Sequence, residues 1–548
     1  MLKILLFILK NRIKNPKFRH CKMSLISEQI RYENIKIVLS KMLFVISVSI
    51  VVIVNFIGAR YNLVINRTLV FVLLLLTLLC INNKLLKNLL GFIALTFIAV
   101  DLSLQLYAWN NFNTKFTYGF ALSVMNTTGG EAFSMLGVYW RSCIVFVGLL
   151  ILFMLTINCG INTIHSKYKR YPVILLVLLL TGYTVQGILH QLRKSNVDSL
   201  AQRVINSTPL STATVFMQAI SDMSIASDIN KNTPNYTISV SDTGIDNYVL
   251  IIGESERREN MSIYGYERDT TPKLEAERKN LLLFQHAISP APVTIMALPL
   301  ALTAASVQET TPAKYGDNII GIANKAGYDT YWYSRQGKGG AYNNVITGIA
   351  MKTKQHQWID QGFDDALLPE LESTLTKSGK KLIVLHLYGS HEPACSRFPE
   401  GASVFKNGST DDDCYDNSVR FTDDIMGKVF SQLSHTRSSV FYFSDHALIR
   451  DPSRAVVYSH AGANPPKEAL AIPAFIWYSP KVEIKNKWLG DYQTPWSTDD
   501  ANMLSELWLG IHRADRNTVS MQEWLQKYQK PIIVMDTTGK KFNWKNMH

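Results

Sequence analysis

Carboxylates and imidazoles follow directly on three short apolar runs of this chain. Tyr248–Ile252 leads into Gly253-Glu254-Ser255, Leu382–Leu387 into Gly389-Ser390-His391-Glu392, and Val440–Ser444 into Asp445-His446. Carboxylate oxygen and imidazole nitrogen are the ligands a zinc-like divalent cation accepts. Any one of these residues alone reads more simply as a strand-end cap or a satisfied core histidine. Several converging on one edge read as a metal site. His460, in Tyr458-Ser459-His460-Ala461-Gly462, lies on a loop returning before the last sheet strand and could reach the same edge. His386, inside its run, reads as core, and His286 as structural.

Transfer chemistry also needs a nucleophile. Ser289-Pro290-Ala291-Pro292-Val293-Thr294 precedes the apolar helical stretch Ile295–Leu302. That puts Thr294 near a helix N-terminus, where free N–H groups and the helix dipole favour a bound phosphate. By itself Thr294 would be a helix cap. Beside a metal, an alkoxide attacking phosphorus is coherent, because the cation lowers the hydroxyl pKa and screens the phosphoryl oxygens.

The elements that must position these residues follow from the pattern after Asn247. β-branched or aromatic runs (Tyr248–Ile252, Thr330–Ser334, Leu382–Leu387, Val440–Ser444, Phe475–Tyr478) alternate with helical segments (Asn318–Lys325, Asn417–Leu433, Asp499–Leu509). Apolar strands separated by helices predict a largely parallel sheet covered on both faces. In such sheets ligands gather beyond the carboxyl ends of the strands.

The chain has 548 residues, 47% apolar and 18% charged, and its long uncharged runs lie before Leu189. Runs at Met42–Ala59, Thr68–Asn83, Ser142–Ser166 and Tyr171–Leu189, with Leu89–Trp109 interrupted only by Asp101, predict five membrane spans. The N-terminus has too short an apolar run for a cleavable signal peptide. Of the net charge of +13, residues 1–41 carry +8. That excess is a cytoplasmic flank under the positive-inside rule, as are Lys84, Lys87, Lys167, Lys169 and Arg170, and it argues against a nucleic-acid partner. An odd number of spans then places everything after Leu189 outside the cytoplasm. Four parts are expected: a basic arm (1–41), a five-helix membrane domain (42–189), a linker of short amphipathic helices (190–246) and a soluble catalytic domain (247–548). Asp101 inside a span is either a functional carboxylate or an acid bonded to a neighbouring helix.

Together these stretches resemble the bacterial inner-membrane phosphoethanolamine transferases, a branch of the alkaline phosphatase/sulfatase superfamily. The resemblance covers almost the whole chain and is most specific at Ile252-Gly253-Glu254-Ser255 and Tyr264-Gly265-Tyr266-Glu267-Arg268-Asp269-Thr270-Thr271-Pro272. Gly389-Ser390-His391, Tyr415-Asp416-Asn417-Ser418, Ser444-Asp445-His446 and the loop Asn126–Ala132 add to it. It is closest in pattern to enterobacterial members without an assigned acceptor. The resemblance implies a zinc ion, or a similar divalent cation, held by Glu254, Thr294, Asp445 and His446, with Thr294 the nucleophile. It implies contact of His391 and His460 with the transferred phosphate or a second metal, and roles for Glu131 and Lys338 in substrate binding. The donor would be phosphatidylethanolamine, and the acceptor an envelope glycolipid or glycan such as lipid A, core sugars or periplasmic glucans. One departure stands out. Family members read Asp-His-Gly, often with an acidic residue after it, where this chain has Asp445-His446-Ala447-Leu448. Alanine suits positive φ poorly, so a different turn and one ligand fewer are expected.

Cys395 and Cys414 fall in the part expected in the oxidising periplasm, around a polar loop behind His391, and predict a disulfide; two free thiols are the alternative. Two other readings of the whole remain open: a related membrane phosphotransferase with another head group, such as glycerol phosphate, and a binding protein on a decayed site.

Overall fold

The computed structural model describes residues 16–57, 61–112, 114–127, 133, 136–159, 166–193, 200–226, 234–336, 345–454, 456–516 and 519–547. Glu131 and Lys338 lie outside the described residues. Two compact units are present, one drawn from 1–106 and 141–214, the other from 107–140 and 215–548.

The first part of the chain is helical: α1 (Pro16–Asn55), α2 (Tyr61–Leu79), α3 (Lys84–Phe112), α4 (Tyr118–Asn126), α5 (Leu136–Cys159), α6 (Tyr171–Arg193), α7 (Leu200–Asn206) and α8 (Ser211–Ala226). Among the described residues, five segments, within α1, α2, α3, α5 and α6, are long and apolar enough to cross a membrane. The helices α7 and α8 occupy the segment expected to carry short helices. The buried Asp101 carboxylate of α3 accepts from Thr212 N at 2.6 Å and Thr212 Oγ1 at 2.7 Å, at the first turn of α8. It therefore satisfies one of the N–H groups that a helix start leaves open. Arg67 of α2, also buried, donates to Asn55 Oδ1 (3.0 Å), Asn206 O (3.0 Å) and Asn206 Oδ1 (2.6 Å). Of the two readings of Asp101, the structure shows the acid bonded to a neighbouring helix.

The second unit is built on eight strands: β1 (Asn247–Gly253), β2 (Leu281–Phe284), β3 (Asp329–Ser334), β4 (Gln355–Trp358), β5 (Lys381–His386), β6 (Ser438–Ser444), β7 (Ala474–Tyr478) and β8 (Gly490–Tyr492). Their order across the sheet is β8-β2-β7-β6-β1-β5-β3-β4. From β6 to β4 all neighbours are parallel, whereas β7 runs antiparallel to both β6 and β2, so the sheet is mixed.

Successive side chains in a strand point to opposite faces, and the sequence uses this to build two cores. Tyr248, Leu250 and Ile252 of β1 join Leu382 and Val384 of β5 and Phe441 and Phe443 of β6 on one face. Val249 and Ile251, with Ile383, Leu385, Val440 and Tyr442, face the other way. The first core is covered by α9 (Thr294–Leu302), 319–325 and 501–508, and the second by α10 (Thr410–Leu433) and 368–375. Apolar residues on both faces explain why the central strands read as unbroken apolar runs. Segment 107–127 belongs to this unit: Gly119 N donates to Thr537 O at 2.9 Å, and Ala463 N to Thr114 Oγ1 at 3.3 Å.

Candidate metal and transfer site

Register places the site residues. Gly253 of β1 pairs with Ser444 of β6, so Glu254 and the Asp445–His446 pair leave the sheet side by side. On the other side of β1, Ile252 pairs with His386 of β5, and the chain turns through Gly389 toward His391. That turn comes very close to β1: a Cβ on Gly389, whose φ is +51°, would lie 2.5 Å from the Glu254 carbonyl oxygen. Only glycine fits there. Asp364 pins the same turn by accepting from Tyr388 N and Gly389 N, both at 2.8 Å.

Thr294 is the first residue of α9. The cap position falls on Val293, and no side chain caps this helix. The Thr294 hydroxyl instead lies 2.9 Å from Glu254 Oε2 and 3.2 Å from His446 Nε2. Its oxygen is turned away from capping and into the acid–imidazole cluster.

Glu254, Asp445 and His446 are all buried, and one ligand atom from each lies within 4.8 Å of the others. Glu254, His391 and His460 meet the same test as a second group. The ring of His460 stands 4.8 Å from that of His446 and 5.8 Å from that of His391. The structure thus brings Glu254, Thr294, His391, Asp445, His446 and His460 together.

The donor set fits a divalent cation by its own chemistry. Asp445 Oδ1 accepts from Ser255 N at 3.0 Å and His446 N at 2.7 Å, while Oδ2 is buried without a partner among the described residues. His446 Nδ1 lies 3.0 Å from the Ala447 carbonyl, which can only accept, so Nδ1 carries a proton and Nε2 is the nitrogen that faces Asp445 Oδ2, at 3.4 Å. Burying an unpaired carboxylate oxygen costs several kcal/mol or more unless something positive meets it.

Proton affinities agree. Burial opposes a charge on Glu254, but the hydrogen bond and charge of His446 outweigh it and hold that carboxyl well below its usual range. Burial and the neighbouring Glu254 charge push Asp445 up to about 8. Burial also works against a charged His446, yet Asp445 and Glu254 raise it to about 9. A divalent cation would take the place of these shared protons. Desolvation, then His446 and His391, holds the His460 imidazole well below its ordinary value.

The Ala447 departure is accommodated. Among the described residues only Ser255 and Asn464 combine positive φ with a side chain, so the turn at Ala447 makes no such demand. Its carbonyl serves as the acceptor that orients His446. Ser255 bears the strain instead, at φ +60°, with its hydroxyl 2.6 Å from Glu254 Oε1 and its carbonyl accepting from Tyr415 at 2.7 Å. Cys395 and Cys414 form a disulfide that ties the chain just after His391 to the start of α10.

Two contributors were not singled out from the sequence: Asp364, and Gln336, whose Nε2 lies 2.9 Å from Glu254 Oε2. Gln336 stands just past the end of β3, and the strand-end rule that found Glu254 applies to it equally.

Residues 246–499 match the sulfatase family, and residues 30–230 match the N-terminal domain of transferase YhbX. In fold the chain is similar to the integral membrane lipooligosaccharide phosphoethanolamine transferase A (EptA) of Neisseria meningitidis. The TM-score is 0.57 at 20% identity, covering 87% of this chain and 94% of that one. It is also similar to the C-terminal periplasmic domain of EptC from Escherichia coli in complex with zinc, with TM-score 0.52 and 23% identity over 57% of this chain and 97% of that one. Fold and helices define a protein of the alkaline phosphatase/sulfatase class preceded by membrane-length helices. Over 521 residues the chain is 38% identical to the Escherichia coli O157:H7 protein described as "Putative transferase YhbX", spanning 92% of this chain and 94% of that one. The chain belongs to that family.

Proposed function

We propose that this protein transfers phosphoethanolamine from phosphatidylethanolamine to an envelope glycolipid or glycan through a phospho-Thr294 intermediate, at the periplasmic face of the inner membrane. The observation that carries the reading is the Thr294 hydroxyl, set at a helix start yet directed at Glu254 and His446 rather than at the helix N–H groups. Solved relatives of the same fold are described as phosphoethanolamine transferases, and one was solved with zinc.

Glu254, Asp445, His446 and Thr294 would hold a zinc-like ion, which when bound lowers the hydroxyl pKa and stabilises phosphoryl charge. Thr294 Oγ forms a bond to phosphorus as the P–O bond to glycerol breaks. The proton lost by the hydroxyl passes through His391 or His460 to the departing diacylglycerol oxygen. In the second displacement an acceptor hydroxyl forms the new P–O bond, its proton goes to the same imidazole, and Thr294 Oγ leaves and recovers it. The membrane-length helices keep the chain in the bilayer of its donor. Glu131 and Lys338 remain candidates for the ethanolamine amine and the phosphate.

The test is mass spectrometry of the full chain after incubation with phosphatidylethanolamine and no acceptor. Thr294 should gain about 123 Da, and Thr294→Ala should gain nothing. An active preparation with no adduct on Thr294 refutes the intermediate. An adduct formed from phosphatidylglycerol but not phosphatidylethanolamine assigns another head group.

A further inference from the structure

Gln336 takes part in none of the steps above, yet it touches the metal-site carboxylate directly. Its backbone is fixed first. Ser334 of β3 pairs with His386 of β5, so the residues after both strands emerge together. The Ser334 hydroxyl donates to Gln336 O at 2.9 Å and accepts from Gln336 N at 3.1 Å, a tight local loop that sets the start of the side chain. Arg335 anchors the same exit: its N–H reaches His386 O at 2.9 Å, and its guanidinium reaches the carbonyl of Gln361 at 2.9 Å.

From that base Gln336 Nε2 lies 2.9 Å from Glu254 Oε2 and 2.9 Å from Leu387 O. Both partners only accept, so the nitrogen and not the oxygen must face them, and both of its hydrogens are engaged. The amide bridges the end of β5 and the carboxylate that follows β1.

We infer that Gln336 is the positioning residue for Glu254, holding that carboxylate in its cation-binding orientation throughout turnover; the inference rests on the metal reading of the site. The two oxygens of Glu254 are held differently. Oε1 takes the Ser255 hydroxyl, while Oε2 shares its donors between Gln336 and Thr294. When Thr294 surrenders its proton to attack phosphorus, it ceases to be a donor, and Gln336 is left as the N–H on Oε2. A neutral amide suits this duty. It orients the carboxylate without the positive charge that would compete with the ion, a demand a lysine or arginine would violate.

The test uses the full chain purified in detergent, with zinc affinity measured by chelator competition and donor-lipid kinetics measured in parallel. Gln336→Met keeps length and removes the donor. It should weaken zinc binding about 10- to 100-fold, the usual effect of deleting a residue that orients a ligand. Turnover at limiting zinc should fall accordingly and recover with excess zinc, while KM for phosphatidylethanolamine stays within about twofold. Gln336→Lys, which sets a positive charge against the cation site, should lose more zinc affinity than the methionine variant at pH 7. Should the lysine variant fail to fold, judged by the thermal transition of the metal-free chain, the methionine variant carries the test. Zinc affinity of Gln336→Met within about twofold of wild type overturns the inference. A wild-type chain that binds no zinc yet still turns over the lipid overturns the metal reading and this inference with it.

Discussion

The two units each bury ionisable side chains but treat them in opposite ways. Among the membrane-length helices, Arg67 reaches three oxygen acceptors, and Asp101 accepts from a backbone N–H and a hydroxyl of one residue. In the second unit Asp445 Oδ2 is buried without a hydrogen-bond partner among the described residues, His446 Nε2 faces two carboxylates, and Ser255 sits at positive φ. Burial alone therefore does not mark function; Asp445 stands out because its unfilled oxygen faces His446 and lies in a cluster of ligand-type side chains. The comparison predicts that substitutions in the second unit change chemistry out of proportion to stability, and that those among the membrane helices do the reverse.

The largest effect should come from Asp445→Ala, which removes a ligand and the group that accepts from Ser255 N and His446 N. Zinc binding should be lost, and turnover should fall by a factor on the order of 10³ or more. Retention of both would place the cation elsewhere and collapse the contrast between the units. Next comes Gly389→Ala. The added methyl meets the Glu254 carbonyl oxygen at 2.5 Å, and positive φ strains alanine whatever the space. Either β1 or the His391 turn must move, and a displacement on the order of 1 Å costs about 10²-fold in rate. Turnover unchanged in a folded variant would mean that the turn is not part of the site.

How far the site could be read ahead of the structure depends on residue type. Glu254, Asp445, His446 and His391 stood at the ends of apolar runs, and the strand-end rule picks out acids and imidazoles because those bind metal. Gln336 obeys the same rule but ligates nothing, so its type drew no attention. Thr294 was separable from an ordinary cap only through the metal-type residues read elsewhere in the chain. In the fold, β1, β3, β5, β6 and β7 were legible because buried strands are uniformly apolar, whereas β4 (Gln-His-Gln-Trp) and β8 (Gly-Asp-Tyr) are short, polar edge strands, and β2 has only four residues. Helix α10 starts at Thr410, well before the expected Asn417. Its first turn is a run of aspartates with no apolar period, stabilised by the Ser409 cap and by the helix dipole.

A smaller effect is expected from the disulfide. The Cys395–Cys414 bridge closes a loop spanning 19 residues, and Cys395→Ser with Cys414→Ser should cost about 3 kcal/mol of stability. Because the bridge starts four residues after His391, turnover of the folded fraction should fall several-fold as well. A change in stability alone would confine the bridge to folding.

The pH dependence of stability isolates Glu256. Burial pushes this carboxyl up to about 7, with the Tyr442 and Thr422 hydroxyls offsetting part of the shift. The unfolded chain releases the proton near 4.5 and the folded chain keeps it to about 7, so the native state binds more protons in that window. Stability therefore falls as pH rises from about 4.5 to about 7 and levels off above, by at most about 3 kcal/mol for this group. Glu256→Gln has nothing to titrate. Its Tm relative to wild type should climb between pH 5 and 7 and stay flat beyond; a difference independent of pH would show that Glu256 is ionised in the fold.

The smallest effect on chemistry belongs to Asp101. Asp101→Ala removes the acceptor for Thr212 N and Thr212 Oγ1 at the start of α8 and should cost about 1–2 kcal/mol, the range measured for hydrogen bonds between membrane helices. Asp101→Asn keeps one acceptor oxygen and should recover part of that loss. Zinc content and turnover per folded molecule should match wild type in both variants, because the carboxylate is filled by its own neighbours and has no valence left for substrate. If Asp101→Asn instead kept its Tm and lost turnover, a fully satisfied buried acid would have proved functional. The unfilled valence of Asp445 would then no longer be the feature that separates the two units.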